Sequence, residues 1–165
     1  MAQGKPDSET ERILIVLFRI IIGWTLLWGA IHHFGDSKFV PEFLTQAKTF
    51  HFLYAPLNTP EITPLLTSLI EYGQLLIGLL LIFGLLVRAS APFAILLLLL
   101  LFGTGHMNFP YLKSVNKFLV DFHVTYAGLC VYLMMKNAGH VFGLDARVER
   151  LPLVRQTHAL RAVVG

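Results

Sequence analysis

Charged residues and cysteines are both scarce in this sequence, and each scarcity excludes a class of protein. Only 14% of the 165 residues are charged and 55% are hydrophobic, whereas soluble domains average about 25% charged residues. A soluble domain of this size has to cover its surface with polar groups, so this balance disfavours a water-soluble fold and excludes intrinsic disorder. The single cysteine, Cys130, excludes an internal disulfide and a CxxC redox pair.

Several motifs of catalysis and ligand binding are also missing. The sequence has no GxSxG motif of a hydrolase nucleophile and no glycine-rich phosphate loop. It also has no HxxxH pair, a spacing that would place two histidine ligands on one helix face. We therefore predict no metal site, although histidines from separate helices leave a haem or metal site open.

Hydrophobic residues are concentrated in four segments, each close to the ~20 residues that cross a bilayer as a helix. The four predicted transmembrane helices are residues 13–31, 65–87, 89–107 and 118–135. They leave no stretch long enough for a separate soluble domain. The predicted fold is therefore an all-α membrane protein, a four-transmembrane-helix bundle that forms a single membrane domain over residues 1–165.

Lysines and arginines are distributed unequally between the two sides of such a bundle. Eight lie on the side of both termini and four on the opposite side, which predicts a multi-pass cell-membrane protein with both termini in the cytoplasm. Acidic residues before the first segment do not suit a signal peptide, so we predict an uncleaved first helix. Residues 136–165 predict a basic amphipathic helix suited to lipid headgroups or a partner, and not to nucleic acid.

Two connections between the segments have distinct patterns. In the outer connection, residues 32–64, hydrophobic side chains recur at helical spacing from Val40 to Phe50, which predicts a short interfacial helix that serves as an anchor or a lid. The second connection is a short turn around residues 87–90, so the helices on either side are antiparallel neighbours. Ser90 and Pro92 predict the start of the third helix.

Polar and small residues share one face on three of the predicted helices. At 3.6 residues per turn, these faces are Arg19, Gly23, Leu26, Ala30 and His33 on the first helix, Glu71, Gln74 and Gly78 on the second, and Asp121, Thr125, Gly128 and Tyr132 on the fourth. Lipid tolerates neither bare charge nor empty grooves, so we predict that all three faces turn inward.

Ionisable groups within the hydrophobic segments carry the strongest functional signal, because each costs ~2.5–3.5 kcal/mol on insertion. Arg19, Glu71 and Asp121 are the three candidates. Arg19 is predicted near the inner end of its helix and Glu71 near the outer end, so no direct pair is expected. For Arg19, the alternative to a functional role is that the side chain extends to the lipid headgroups. For Asp121 and His123, the alternative is that they cap the fourth helix at the membrane interface.

The motifs of the first two segments resemble those of the DoxX-like membrane proteins. The resemblance rests on Leu17-Phe18-Arg19-Ile20, Gly23, Trp28-Gly29, Phe34-Gly35 and Lys38-Phe39, and on Glu71-Tyr72-Gly73, Gly78, Gly84-Leu85 and Arg88. It covers about residues 13 to 135. Within the family, the chain is most similar to the DoxD branch, the membrane subunits of thiosulfate:quinone oxidoreductases.

The resemblance implies that thiosulfate is oxidised to tetrathionate at the outer face and that electrons pass to membrane quinone, with a small DoxA-like partner subunit or a larger membrane complex. Glu71, Asp121 and His123 are then the expected catalytic groups, supplying protons and hydrogen bonds to quinone. The expected substrate-binding residues are His32, His33, Lys38, Gln74 and His106. Arg19 and Arg88 are expected to be structural or intramembrane charges.

Two other classes stay open from the sequence. No residue pattern marks a one-electron carrier, and a partner or cofactor would normally supply one. The chain is therefore also interpreted as a non-catalytic accessory subunit of a larger respiratory or oxidase complex. A small transporter is the third possibility, although the sequence shows neither an inverted repeat nor a broken helix.

Overall fold

A computed structural model describes residues 8–45, 51–105 and 122–164, and every regular element in these ranges is helical. The helices are α1 (Glu9–His33), α2 (Phe39–Thr45), α3 (His51–Tyr54), α4 (Thr63–Phe83), α5 (Val87–Gly105), α6 (Phe122–Met135), α7 (Asp145–Val148), α8 (Pro152–Gln156) and α9 (His158–Val164). Short 3-10 turns cover Ala55–Leu57 and Ala138–His140. The all-α fold class is thus confirmed, and the four predicted hydrophobic segments correspond to α1, α4, α5 and α6.

The two longest helices, α1 and α4, pack together as an antiparallel pair. Gly23 and Gly78 face each other where they cross, and a Cβ atom on either glycine would lie 2.8 Å from the carbonyl oxygen of the other. Only glycine allows the two backbones to approach so closely. The crossing fixes the register that places Arg19 beside Gly84 and Gln74 beside Gly29.

The main hydrophobic core lies between α1, α4, α5 and α6. Ile22, Leu81, Ala94 and Cys130 are fully buried there, each at most 2% exposed. Ala91, Ala94 and Ala127 on α5 and α6 allow close packing in the same cluster. Val141 from the C-terminal segment also belongs to it. Close van der Waals packing of these side chains stabilises the contacts between the four helices.

The outward faces of α1 and α4 are apolar and uncovered. Both helices are long and hydrophobic enough to cross a membrane, yet only 33% of each hydrophobic stretch is buried. Trp24, Leu65 and Leu69 are 55%, 72% and 67% exposed. In the described residues, the apolar parts of α5 and α6 are shorter than those of α1 and α4.

The outer connection contains the expected short helix, and it packs onto the bundle. Helix α2 buries Val40 and Leu44 against Ile70 of α4 and Tyr54 of α3. The Tyr54 hydroxyl also donates a hydrogen bond to the Leu100 carbonyl at 3.2 Å. The predicted helix is therefore confirmed for Phe39–Thr45, while residues 46–50 lie outside the described part of the chain.

The predicted start of the third helix at Ser90–Pro92 is wrong. Helix α5 begins at Val87, and Pro92 lies inside it. The preceding turn is short, as predicted, but it lies at residues 84–86 and not at 87–90, with Gly84 and Leu86 in left-handed conformations. The sequence suggested a local cap at Ser90. In the structure the Val87 amide at the start of α5 is instead hydrogen-bonded by Asp145, which lies 58 residues further along the chain.

The prediction of one amphipathic surface helix over residues 136–165 is also wrong. The segment forms α7, α8 and α9, separated by turns. Asn137 and Phe142 have positive φ angles of 48° and 52°, which interrupts a helix in each case. Ala138 and Asp145 are buried at 0% and 1% exposure, so the first part of this segment is a component of the fold.

Candidate functional site

The polar faces predicted on α1 and α4 do turn inward, and they meet each other. Arg19, Glu71 and Gln74 are 2%, 8% and 5% exposed. Gly23, Leu26 and Ala30 on α1 and Gly78 on α4 are buried with them, and His33 is half-buried. The α1–α4 interface therefore holds three polar groups that the sequence singled out within the hydrophobic segments: Arg19, Glu71 and Gln74.

Glu71 holds the turn that follows α1. Its Oε1 atom accepts a hydrogen bond of 3.1 Å from the amide of Gly35, which has a φ of 79°. Glycine is the residue that adopts this left-handed conformation without strain, so the turn brings the amide to the carboxylate at low cost. Arg19 contacts Gly84 at the opposite end of the helix pair. As expected, Arg19 and Glu71 do not form a pair.

Gln74 lies one turn below Glu71 on the same face of α4. Its Oε1 atom is 3.6 Å from the position that a Cβ atom on Gly29 would occupy. The absence of a side chain at Gly29 leaves the space that the amide fills. Gln74 is thus packed between the two helices, next to Glu71 and away from the exposed side of α4.

The predicted substrate-binding residues after α1 are placed at the outer end of the bundle. The rings of His33 and Phe39 stack at 3.7 Å, and His32 packs against Trp28 at 4.6 Å. Lys38 is exposed, and its backbone amide donates to the Asp36 carboxylate at 3.0 Å. These residues flank Gly35, whose amide donates a hydrogen bond to Glu71. The predicted residue His106 lies outside the described part.

The polar face predicted for the fourth segment is wrong. Thr125 and Gly128 are exposed, whereas the buried face of α6 consists of His123, Ala127, Cys130 and Leu133. The side chains of α6 itself are apolar around most of its circumference, so its few small and polar residues could not indicate the packed face. His123 is 7% exposed and its ring centroid lies 3.9 Å from that of Phe122. Asp121 lies outside the described residues.

The structure therefore does not bring the described members of the predicted catalytic set into one contact. Glu71 faces the turn after α1, whereas His123 belongs to the buried face of α6, whose main packing partner is α5. General acid–base groups act when they are within hydrogen-bond reach of the same reacting molecule. The described residues show no such convergence of Glu71 and His123.

A buried cluster that the sequence did not predict surrounds Arg19 at the end of the bundle where α1 begins. Arg19 Nη1 donates hydrogen bonds to the carbonyl oxygens of Ala138 at 2.5 Å and Val141 at 3.2 Å. These carbonyls belong to the turn that follows α6 and covers the guanidinium. Arg19 is therefore enclosed by protein, and the snorkelling alternative does not describe it. Arg88, the other expected structural charge, is exposed near the start of α5.

Asp145 completes this cluster from the C-terminal segment. Its carboxylate accepts hydrogen bonds from the amides of Leu86 at 2.7 Å and Val87 at 3.2 Å, which caps the N-terminus of α5. Its own amide donates to the Gly84 carbonyl at 3.0 Å. Burial raises the pKa of Asp145, while these two amides and the charges of His140 and Arg19 act in the opposite direction.

Three glycines leave the room that the Arg19–Asp145 cluster occupies. A Cβ atom on Gly84 or Gly143 would collide with the Arg19 guanidinium, and one on Gly139 would collide with the Asp145 carboxylate. Gly84 also has a φ of 64°. The sequence distance of more than 100 residues between Arg19 and this turn explains why no local pattern revealed the contact. The glycines at 139 and 143 on either side of Phe142 were the available signal.

A second feature is an apolar groove of about 620 Å³ on the outside of α4 and α5. Its lining includes Leu69, Gly73 and Leu76 from α4 and Phe93 and Leu96 from α5. Ser90 also borders the groove, and its hydroxyl is turned to the Val87 carbonyl of its own helix. Glu71 and Gln74 do not line the groove. A hydrocarbon chain is the ligand chemistry that this lining matches.

Within the described residues, no group of three or more histidine, cysteine, aspartate or glutamate side chains is arranged to hold a metal ion. Comparison with known proteins gives no family assignment: no protein-family model matches the chain, and neither a curated protein nor a solved structure matches it. The similarity to DoxX-like proteins therefore rests on the sequence motifs alone.

Proposed function

We propose that the chain is a multi-pass membrane protein in which α1, α4, α5 and α6 cross the bilayer, with both termini in the cytoplasm. Two helices of sufficient length and their uncovered apolar faces support this arrangement. The excess of lysine and arginine on the side of the termini supports the orientation. The interfacial position of α2 belongs to the same proposal.

Within the membrane, the proposed function is that of a subunit of a quinone-linked oxidoreductase. The observation that carries it is the apolar groove between α4 and α5, which offers a lipid-facing slot for the isoprenoid tail of a quinone. Quinone is the electron acceptor in this proposal. The electron carrier is assigned to a partner, a DoxA-like small subunit or a larger complex, because electron transfer normally requires a bound cofactor.

Oxidation of thiosulfate at the outer face is the substrate part of the proposal. A dianion needs cationic or hydrogen-bonding groups, and Lys38, His32 and His33 lie together in the turn after α1. Glu71 adjoins this turn through its hydrogen bond to Gly35. Glu71, Gln74, Asp121 and His123 are proposed to supply protons and hydrogen bonds to the quinone headgroup; since Glu71 and Gln74 do not line the groove, the groove is assigned to the tail alone. His106 belongs with His32, His33 and Lys38 as a proposed thiosulfate-binding residue.

One observation favours a second candidate, a non-catalytic accessory subunit. Glu71, the strongest sequence candidate for catalysis, is engaged in holding the Gly35 turn. Arg19 and Asp145 are likewise engaged in joining distant segments. Groups that are fixed by such contacts stabilise a scaffold. An accessory subunit would leave the groove to lipid chains and would copurify with larger subunits in fixed stoichiometry.

Photoaffinity labelling of the groove tests the proposed function. The full chain in lipid nanodiscs is irradiated with an azido-quinone that carries an isoprenoid tail, and the labelled peptides are mapped. Gly73 lines the groove, and nothing lies within 4 Å of the position of a Cβ atom on it, so Gly73→Leu fills the slot without a clash. A tail that enters the filled slot would overpack it at a cost of about 1–3 kcal/mol, so labelling is expected to fall on the order of tenfold.

Gly128→Leu is the matched control, because Gly128 is exposed on α6 and has equally open space around it. This variant should label as the wild type does. Labelling confined to residues 66–100 and lost in Gly73→Leu would support quinone binding. Wild-type protein that is not labelled there, or equal labelling in both variants, would reject it and leave the accessory role as the better description.

A further inference from the structure

A basic cleft lies at the end of the bundle where α1 begins, and Arg19 is part of its lining. Its volume is about 590 Å³, and its lining includes four arginines, Arg12, Arg19, Arg147 and Arg150, beside His140. We propose that this basal cleft binds the phosphate headgroup of an anionic membrane lipid. The proposal requires that the protein lies in a membrane, but it does not depend on quinone binding.

Positive charge in the basal cleft is only partly balanced by nearby acids. Asp145 is 1% exposed and its carboxylate oxygens are taken up by the amides of Leu86 and Val87. Glu149 is paired with His140, at 3.1 Å between Oε2 and Nε2. Four arginines therefore face the cleft. The two carboxylates nearby, Asp145 and Glu149, already have other partners. Such an excess attracts an anion, and arginine is well suited to phosphate because its planar guanidinium offers several donors.

Arg19 contributes a buried, fixed guanidinium to the wall of the basal cleft. Its side chain is 2% exposed, both of its hydrogen bonds to described residues come from Nη1, and the buried Nε atom has no acceptor among them. A buried donor without an acceptor is costly, typically about 1–3 kcal/mol. Arg19 therefore lines the cleft with a hydrogen-bonding capacity that its protein partners do not use up, and close contact with Gly84 and Gly143 holds its guanidinium in place.

Exposed aromatic residues at the same cleft indicate an amphiphile as the ligand. Phe83 and Phe142 line the cleft, and their side chains are 57% and 69% exposed. The Arg12 guanidinium lies 4.9 Å from the centre of the Phe142 ring, within the range of a cation–π interaction. A soluble phosphate would use only the arginines. A phospholipid would use the arginines through its headgroup and the aromatic surface through its chains.

Native mass spectrometry of the detergent-purified full chain tests this site. Phosphatidylglycerol and phosphatidylcholine with the same acyl chains are titrated separately, and inorganic phosphate is titrated as the soluble source of the same group. The variant is Arg147→Gln with Arg150→Gln, since both side chains are exposed and their loss leaves the packed core intact. Arg155→Gln with Arg161→Gln removes two exposed charges from the same segment outside the cleft and is the control.

The wild type is expected to prefer phosphatidylglycerol, and the Arg147/Arg150 variant is expected to lose on the order of 20-fold in affinity, from roughly fivefold per arginine near a membrane surface. The control variant should keep the wild-type affinity. Equal losses in both variants, or equal binding of the two lipids, would overturn the site. Full displacement of phosphatidylglycerol by millimolar inorganic phosphate would assign the cleft to a soluble anion and overturn the lipid assignment.

Discussion

At the scale of single residues, Asp145 makes the contact that joins the C-terminal segment to the helices. It satisfies two amides at the start of α5, and it balances the buried charge of Arg19. Asp145→Ala would leave both amides without an acceptor, so we expect a loss of about 2–4 kcal/mol in stability. Thermal unfolding in detergent measures it. Glu61→Ala, at an exposed acidic position, is the control and should be neutral.

The stability difference between wild type and Asp145→Ala is expected to depend on pH. Because burial raises the pKa of Asp145 above its usual 3.8, the folded chain binds a proton more readily than the unfolded chain between 3.8 and the raised value. Stability due to Asp145 is therefore fully present below pH 3.8 and decreases as the pH rises through that window. The Tm difference between wild type and Asp145→Ala should widen on acidification, and narrowing would contradict the assignment.

At the scale of helices, the α1–α4 crossing depends on Gly78. In Gly78→Ala, the new methyl group would lie 2.8 Å from the Leu27 amide nitrogen and the Gly23 oxygen, both of which are backbone atoms and cannot move independently. We expect a loss of about 1–3 kcal/mol from this overpacking. Gly73→Ala, five residues earlier on α4, meets no atom within 4 Å and serves as the control. Equal Tm values for the two variants would mean that the crossing is looser than described.

The same helices show which parts of the fold a sequence can reveal. On α1 and α4, residues such as Gly23, Glu71 and Gln74 differ strongly from the surrounding leucines and isoleucines, so the 3.6-residue period identified the packed faces. On α6 the same period predicted the wrong buried face. The surface of this helix is apolar on most sides, so contacts with neighbouring helices decide which face is buried. Asp145 was missed for another reason, since its partners Leu86 and Val87 are 59 and 58 residues away.

At the scale of the whole molecule, the packing divides the chain into two ends. Arg19 contacts Ala138, and Asp145 contacts Leu86, so the start of α1, the α4–α5 turn and the C-terminal segment lie at one end. The Glu71–Gly35 hydrogen bond joins the turn after α1 to α4 near the other end. If the bundle crosses a bilayer, residues of the first group share one side, and the connection before Thr63 faces the opposite side.

Labelling of introduced cysteines measures this division. The background is Cys130→Ala, which removes the buried native thiol, and single cysteines are placed at the exposed positions Ser8, Arg155 and Glu61. A membrane-impermeant maleimide applied to intact cells is expected to label Glu61→Cys alone, whereas Ser8→Cys and Arg155→Cys should react only after the membrane is opened. Reaction of all three in intact cells would contradict a membrane-spanning bundle. The reverse pattern would keep the bundle and invert its orientation, because the ends are fixed by packing and their sides by the lysine and arginine bias.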